Sequence, residues 1–457
     1  VSQSLASKQD VIFQTSQLDG KIYIREQKGD FQRIRRYLSW VLVSGFMLLP
    51  WVQYHGQQGI LFNVPEQKLT LFDITLFPQD MFIFSLIFIL AAFLLFYITR
   101  LYGRVWCGYT CPQTIWMLMF NWVERRVEGS FRQSQALDNA PLGTSKVIKK
   151  AVKHSIWLAI SFLTALVFMS YFVPVSQLYS SVFTFQASTI VLGWVFFFTA
   201  CTYINGGWIK EKMCLHICPY ARFQSVMFSN TTTLITYDNT RGENRGPRKL
   251  KAQKATDMGD CVDCGLCVDV CPVGIDIRQG LQYECINCGL CADACNDVMR
   301  KFNYPRYLIK YAPKQESKRR WSAHLGYGVA SLLCLCFIVQ WAFSRDEFDV
   351  SIIRDRQALY RVNTQGKVEN TFVLKIINKT QQTRGYLLKI EHDENLIIQG
   401  TPEYVVSPTE QAMTYVTVVA RHAPSAQKIP IHFAILDQKS HEVIQKSSSF
   451  FSPTDAW

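Results

Sequence analysis

Five long, nearly charge-free stretches dominate the chain, at roughly Tyr37–Tyr54, Met81–Thr99, Ser155–Val175, Thr189–Tyr203 and His324–Phe343. An apolar run of about 18–20 residues crosses the hydrocarbon core of a bilayer as a helix. A soluble protein buries one or two such runs, not five, so the pattern predicts a polytopic α-helical membrane protein with five transmembrane helices. Pro50 blurs the end of the first run, and the fourth is short. Composition agrees: 49% of residues are hydrophobic and only 18% charged, against about 25% charged in a soluble protein. A disordered chain and a small disulfide scaffold are both excluded.

The net charge of +13 invites a nucleic-acid reading, which its distribution removes. Residues 1–36, 100–154 and 204–323 together carry 34 Lys and Arg against 19 Asp and Glu. The loop 55–80 is net −2, the connection 176–188 is uncharged, and the tail 344–457 is balanced at 13 against 13. Basic residues flank membrane spans on the cytoplasmic side. The expected topology therefore has the N-terminus in the cytoplasm, anchored by Arg33, Arg35 and Arg36, and the tail outside. Cysteine usage follows the same division. All 15 cysteines lie in the spans or on the basic side, where thiols are metal ligands more often than disulfides.

Residues 261–272 read Cys261-Val-Asp-Cys264-Gly-Leu-Cys267-Val-Asp-Val-Cys271-Pro272, and residues 285–295 repeat the spacing as Cys285, Cys288, Cys291 and Cys295, with Asn296 in place of the proline. In such doubled runs three thiolates wrap one cubane, and the fourth cysteine of each run ligates the other cluster. The spacing assigns Cys261, Cys264, Cys267 and Cys295 to one 4Fe-4S cluster, and Cys285, Cys288, Cys291 and Cys271 to a second. The segment resembles a bacterial-type ferredoxin, whose chemistry is one-electron transfer. No glycine-rich dinucleotide fingerprint follows a strand anywhere, so no nicotinamide or flavin site is expected.

Two further pairs read Cys107-Gly-Tyr-Thr-Cys111-Pro112 and Cys214-Leu-His216-Ile-Cys218-Pro219. Each follows a hairpin of two spans and precedes an apolar stretch, which predicts a twofold repeat of span, span, C-x3-C-P and amphipathic segment. Proline favours the first position of a helix, so Cys111 and Cys218 are expected at helix N-termini, where free N–H groups stabilise thiolate. Soft thiolates suit Cu(I), zinc or iron–sulfur centres. Pseudo-symmetry could gather Cys107, Cys111, Cys214 and Cys218 into one site, with His216, Met117, Met119 and Met213 as neighbouring donors. Two inert buried pairs are the plainer alternative. Cys201, Cys334 and Cys336 lack such context and read as packing residues.

The tail alternates apolar and polar residues over Thr371–Ile377, Tyr386–Ile390, Met413–Val419, Ile429–Ile435 and Glu442–Phe450. Short alternating runs separated by turn residues predict a β-sandwich. Its histidines, His392, His422, His432 and His441, have no ligand spacing and read as surface residues.

Taken together these motifs resemble the FixG/RdxA/CcoG family of ferredoxin-like accessory proteins for cbb-type cytochrome c oxidase. The match rests on Trp106-Cys107-Gly-Tyr-Thr-Cys111-Pro112-Gln113-Thr114, on Cys214-Leu-His-Ile-Cys218-Pro219-Tyr220-Ala221-Arg222-Phe223-Gln224, and on Tyr237-Asp238-x-x-Arg241-Gly242-Glu243 before the cassette. The implied plan is a cytoplasmic segment (1–36), four membrane helices in two hairpins (37–228), a cytoplasmic two-cluster ferredoxin domain (229–320), a fifth membrane helix (321–343) and a periplasmic immunoglobulin-like domain (344–457), set in a bacterial inner membrane. The implied activity is reduction of Cu(II) to Cu(I) for oxidase assembly. Copper would be substrate or bound ion at Cys107, Cys111, Cys214 and Cys218, with His216 as a further ligand. Expected partners are a cytoplasmic electron donor, a copper transporter or chaperone, oxidase assembly factors, membrane lipid and a second copy of the chain, but no nucleic acid. Alternatives from other classes are a quinol-linked transmembrane electron-transfer subunit, disfavoured by the lack of a C-x-x-C-H haem site, and a non-catalytic assembly scaffold.

Overall fold

The structure is a computed structural model that describes residues 21–250, 257–313, 324–355, 358–391, 393, 395–422 and 426–453. The first twenty residues, the stretch 314–323 before the last apolar run, and His392 lie outside the described residues. The chain divides into two compact units, one built from residues up to Trp51 together with Ile83–Ile338, the other from Val52–Phe82 together with Val339 onward.

The first unit is helical. Helix α1 (Asp30–Leu48) is followed by α2 (Phe82–Tyr102), α3 (Val105–Tyr109), α4 (Pro112–Glu128), α5 (Phe131–Asn139), α6 (Thr144–Met169), α7 (Val175–Phe183), α8 (Thr189–Tyr203), α9 (Pro219–Val226), α10 (Asn239–Gly242), α11 (Leu266–Asp269), α12 (Leu290–Lys301) and α13 (Val329–Phe343). Among the described residues four helical stretches are long and apolar enough to cross a membrane: Pro78–Tyr102, Thr144–Met169, Thr189–Ile209 and Leu325–Phe343. Their outer faces expose Phe88, Phe196, Phe197, Leu332 and Phe337, as a lipid-facing surface does, and the chain is accordingly membrane-associated.

The first expected span differs. Helix α1 begins at Asp30 rather than Tyr37, so the basic cluster Arg33, Arg35 and Arg36 lies inside the helix instead of before it. The helix is long enough to span but too charged in its first two turns to count as apolar. It ends at a 3-10 turn over Leu49–Trp51, where Pro50 supplies no N–H to continue the helical ladder. The third run also shifts: α6 starts eleven residues before Ser155, and α7 (Val175–Phe183) occupies much of the connection expected over 176–188. Leu166 and Leu178, both fully buried, pack α6 and α7 with Val195 of α8.

Below these helices a two-stranded antiparallel sheet (Thr233–Tyr237 with Ile309–Pro313) backs the cysteine cassette. The N-terminal segment runs along the same unit. Lys21 bonds Glu124 at 2.7 Å and Asp138 at 2.8 Å, and Lys210 bonds the other oxygen of Glu124 at 2.7 Å.

The second unit is a β-sandwich. One sheet orders Leu396–Gln399, Gln411–Ala420, Val368–Asn378 and Phe348–Arg354, with Arg361–Val362 on its edge. The other orders Glu403–Val406, Arg384–Glu391, Lys428–Asp437 and Val443–Phe451. Ile431, Phe433 and Ile435 point inward and His432 outward, as the alternation requires. Phe348, Phe372, Tyr386, Phe433 and Phe450 fill the core. The loop 52–82, read from sequence as part of the membrane region, packs with this unit. Asp80 pairs with Lys379 at 3.1 Å, and Arg345 donates to the Thr75 carbonyl.

Candidate metal centre

The doubled cysteine spacing produces doubled backbone geometry. In each half the residue before the second cysteine is left-handed (Asp263, φ 50°; Asn287, φ 55°), and the glycine after it is too (Gly265, φ 68°; Gly289, φ 76°). Successive left- and right-handed residues turn consecutive N–H groups into one concavity, a fold seen around iron–sulfur sites. Two cavities result. Cys261, Cys264, Cys267 and Cys295 line the first. Cys271, Cys285, Cys288 and Cys291 line the second, with Cys267 at its edge. These are the two sets that spacing assigned. Apolar side chains complete both walls, including Leu266 and Val298 in one and Ile275 and Ile286 in the other. Burial pushes the Cys267, Cys285 and Cys295 thiols up to about 12 and the Cys291 thiol well above its usual range. Such thiols hold their protons until a metal displaces them. Donor set, cavity division and N–H cradle fit two 4Fe-4S clusters.

The two C-x3-C-P motifs fold as their prolines predict. Cys107 sits within α3, and Cys111 caps α4 with Pro112 at the first helical position. The Cys111 thiol is raised by burial, and the N–H groups of Thr114 and Gln113 that point at it act in the opposite direction. In the second motif Met213–Ile217 forms a wide π-type turn, and Cys218 leads directly into α9 at Pro219. The two motifs, about a hundred residues apart in sequence, meet. Cys107 lies within electrostatic range of Cys111, Cys214 and Cys218, and Cys214 within range of Cys111 and Cys218. Burial pushes the Cys107 and Cys214 thiols up to about 12. The Cys107 thiol donates to Gln224 Oε1 at 3.2 Å, and Gln224 Nε2 donates to Thr99 Oγ1 at 2.9 Å. Among the described residues no three Cys, His, Asp or Glu side chains converge tightly on a single-ion site, so the four thiols are gathered rather than closed around an ion.

This quartet abuts the second cluster cavity. Cys107 shares an apolar core with Cys271, Cys285 and Cys288. Gly108 is pressed so closely on Ile286–Cys288 that a Cβ there would stand 2.7 Å from the Ile286 carbonyl oxygen and 3.0 Å from Cys288 Cα. Asn287 locks the junction. Its side chain accepts from the Ile235 N–H at 2.8 Å and donates to the Tyr102 carbonyl at 2.7 Å, while its own carbonyl accepts from the Tyr311 hydroxyl at 2.6 Å. Arg35, fully buried, donates to the Gly108 carbonyl at 2.8 Å.

His216 is exposed in the π-type turn, and its carbonyl rather than its ring faces Arg222. Cys336 is exposed, and Cys201 and Cys334 are half-buried in apolar helices. Gln224, Asn287, Gly108, Arg35 and Arg104 are the residues that sequence reasoning missed. The one available signal was that Asn287 occupies the position of Asp263 in the first repeat.

Residues 209–314 match the family model described as a 4Fe-4S dicluster domain, residues 82–129 that of a 4Fe-4S binding domain, and residues 338–453 that of the immunoglobulin-like fold at the C-terminus of FixG. The nitrogen fixation protein FixG of Rhizobium meliloti is 32% identical over 414 residues, covering 81% of this chain and 79% of its own. Protein RdxB of Cereibacter sphaeroides is 32% identical over 426 residues, covering 88% and 89% respectively. A crystal structure of a FixG-related protein from Vibrio parahaemolyticus is 30% identical and covers 23% of this chain and 97% of that one, with a TM-score of 0.22. Identity at this level over most of both chains, with the cassette and the C-terminal domain each matched in place, means that the chain belongs to the FixG family of iron–sulfur proteins.

Proposed function

We propose that this protein is a membrane-bound cupric reductase that delivers Cu(I) for assembly of a cbb-type oxidase. Cu(II) is held at the thiols of Cys107, Cys111, Cys214 and Cys218, gains one electron and leaves as Cu(I). The bound clusters supply the one-electron chemistry. The observation that carries this reading is the junction: a soft-donor quartet packed through Gly108 on the cavity lined by Cys285, Cys288 and Cys291. The chain's own residues shape that junction. Gln224 holds the Cys107 thiol, the start of α4 presents N–H groups to Cys111, and apolar packing around Ile286 and Leu290 keeps water from the space between.

The charge map supports a cytoplasmic ferredoxin face and a periplasmic sandwich, and the packing of loop 52–82 with the tail agrees with a shared side for those two segments. A cytoplasmic electron donor, a copper transporter or chaperone, and oxidase assembly factors are the partners this arrangement calls for.

A second reading has its own support, because the 4Fe-4S binding family model covers Cys107 and Cys111. In it the quartet ligates a third iron–sulfur centre. Anaerobic metal analysis separates the two: about eight iron atoms per chain with two clusters, about twelve with three. Replacing all four quartet cysteines with Ser should abolish copper binding and Cu(II) reduction while leaving the cluster spectrum intact. Normal Cu(II) reduction by that variant would remove copper from the quartet. Loss of about four irons would favour the third cluster.

A further inference from the structure

Arg104 is 1% exposed and Arg35 0%, and they are the two largest fully buried side chains among the described residues. Neither forms an ion pair with a described carboxylate. Arg104 donates through one terminal nitrogen to the Ala221 carbonyl, and its Nε has no partner. Its guanidinium lies 4.9 Å from the ring centre of Tyr283. Glu284, the acid next to Tyr283, makes no ion pair with it, and one of its carboxylate oxygens is buried without a hydrogen-bond partner. A buried cation with no counter-charge is costly enough that proteins rarely keep one.

The three attachments of Arg104 locate it. Its own position is three residues before Cys107, Ala221 is three residues after Cys218, and Tyr283 is two residues before Cys285. The guanidinium is thus tied to both C-x3-C-P motifs and to the second half of the ferredoxin cassette. Once metal displaces the thiol protons, the charges there are negative: thiolates of the quartet, and a cluster whose four thiolate ligands leave it anionic.

We propose that Arg104 is the counter-charge of this junction: a positioning residue that neutralises the second cluster and the quartet thiolates together and favours the reduced state of that cluster. This rests on reading the cassette as two clusters. A cation near a redox centre stabilises the form carrying the extra electron, so removing it lowers the midpoint potential. At about 10 Å and an effective dielectric constant of about 20, one charge shifts the reduction equilibrium roughly tenfold, which is about 59 mV for a one-electron couple.

The test is an EPR redox titration of the anaerobically purified full-length holoprotein, with Arg104→Gln and Arg104→Lys alongside the parent, and iron content measured for each. In Arg104→Gln one cluster signal should move to lower potential by about tenfold in its equilibrium, while the other stays in place as an internal control. Arg104→Lys, which keeps the charge but loses the planar fork, should stay close to the parent. Loss of iron in Arg104→Gln with full iron in Arg104→Lys equally supports a role for charge. The proposal is overturned if both signals are unmoved in a fully loaded Arg104→Gln protein, or if the Lys variant shifts or loses iron as much as the Gln variant. Absence of two cluster signals in the parent itself would instead defeat the cassette reading on which the proposal stands.

Discussion

The tightest test of the junction is the substitution Gly108→Ala. The added Cβ would stand 2.7 Å from the Ile286 carbonyl oxygen, 3.0 Å from Cys288 Cα and 3.3 Å from the Asn287 carbonyl carbon. All three are backbone atoms, so no side chain can swing aside. Ordinary contact begins at 3.4 Å, and the turn must therefore retreat from the loop by about half an ångström or more. Overpacking of this kind costs about 1–3 kcal/mol. Because the displaced turn carries Cys107, the spacing between the quartet and the second cavity grows. A wider gap slows electron transfer between the two centres. The assay is mixing of anaerobic, dithionite-reduced protein with Cu(II) and a Cu(I)-selective chelator, with iron content and thermal unfolding measured on the same samples. The expected result is full iron, a lowered melting temperature and slower Cu(I) formation. Gly193→Ala in α8, where an added Cβ meets nothing within 4 Å, should leave all three unchanged or slightly raise stability. A Gly108→Ala protein indistinguishable from the parent would refute the claim that this contact couples the two centres.

Other expectations are independent of copper. In the sandwich, Phe433→Ala empties a fully buried ring position that packs against Phe372 and should cost about 3–5 kcal/mol; a melting temperature within a degree or two of the parent would count against that core. Asp437→Ala removes the buried partner that Arg384 bonds at 3.3 Å and leaves it only the half-exposed Glu347 at 2.9 Å, so a loss of about 1–3 kcal/mol is expected, read by denaturant unfolding. In the helical unit, burial alone would raise the Glu124 carboxyl, but Lys210 and Lys21 outweigh it and hold the group at about 2. A folded value below the ordinary 4.5 means that its stabilisation is fully present above that pH and is lost as pH falls toward 2. Melting temperature should therefore be flat from pH 6 to 8 and fall below about pH 4.5, with a shallower fall in Glu124→Gln; equal acid sensitivity in the two proteins would sink the assignment.

Much of the fold was legible because its signals are local. The run at Thr189–Tyr203 was readable to the residue, since Ser188 caps α8 through the Val191 N–H and no charged residue interrupts the helix after that cap. The five expected strands of the tail fall on observed ones because alternation over five or more residues has one solution on a half-buried sheet. The strands at Phe348–Arg354, Arg361–Val362, Leu396–Gln399 and Glu403–Val406 were not expected; the first has no strict alternation, with Ser351 and Ile352 both half-buried, and the others are short. Four residues are too few to establish a period, and only pairing with a longer neighbour makes such segments extended. Helix α1 was misplaced for a related reason. Hydropathy sees Tyr37 as the start, but the helix begins at Asp30, just after Gly29, where the Phe31 and Gln32 N–H groups are held by Asp293. That contact spans about 260 residues and leaves no trace in the local sequence.

The site was half legible in the same sense. Spacing alone divided eight cysteines between two cavities, since the ligands of a cubane are fixed by chain geometry over about ten residues. Spacing could not say that the membrane pairs meet, nor which half of the cassette they touch. Both repeats are internally twofold, yet their meeting is not: the first membrane motif packs on the second ferredoxin half through Gly108, while the first half keeps Cys264 exposed on the far cavity. The two cavities therefore differ in accessibility although their sequences nearly match. On the proposed function, the open one suits a soluble donor and the closed one suits the quartet. An exchange of roles would require the glycine at position 108 to face Val262–Cys264 instead. In that loop Asp263 stands where Asn287 makes its two locking hydrogen bonds, and a carboxylate cannot donate to the Tyr102 carbonyl as the Asn287 amide does. One amide in place of one carboxylate thus gives a symmetric motif its direction.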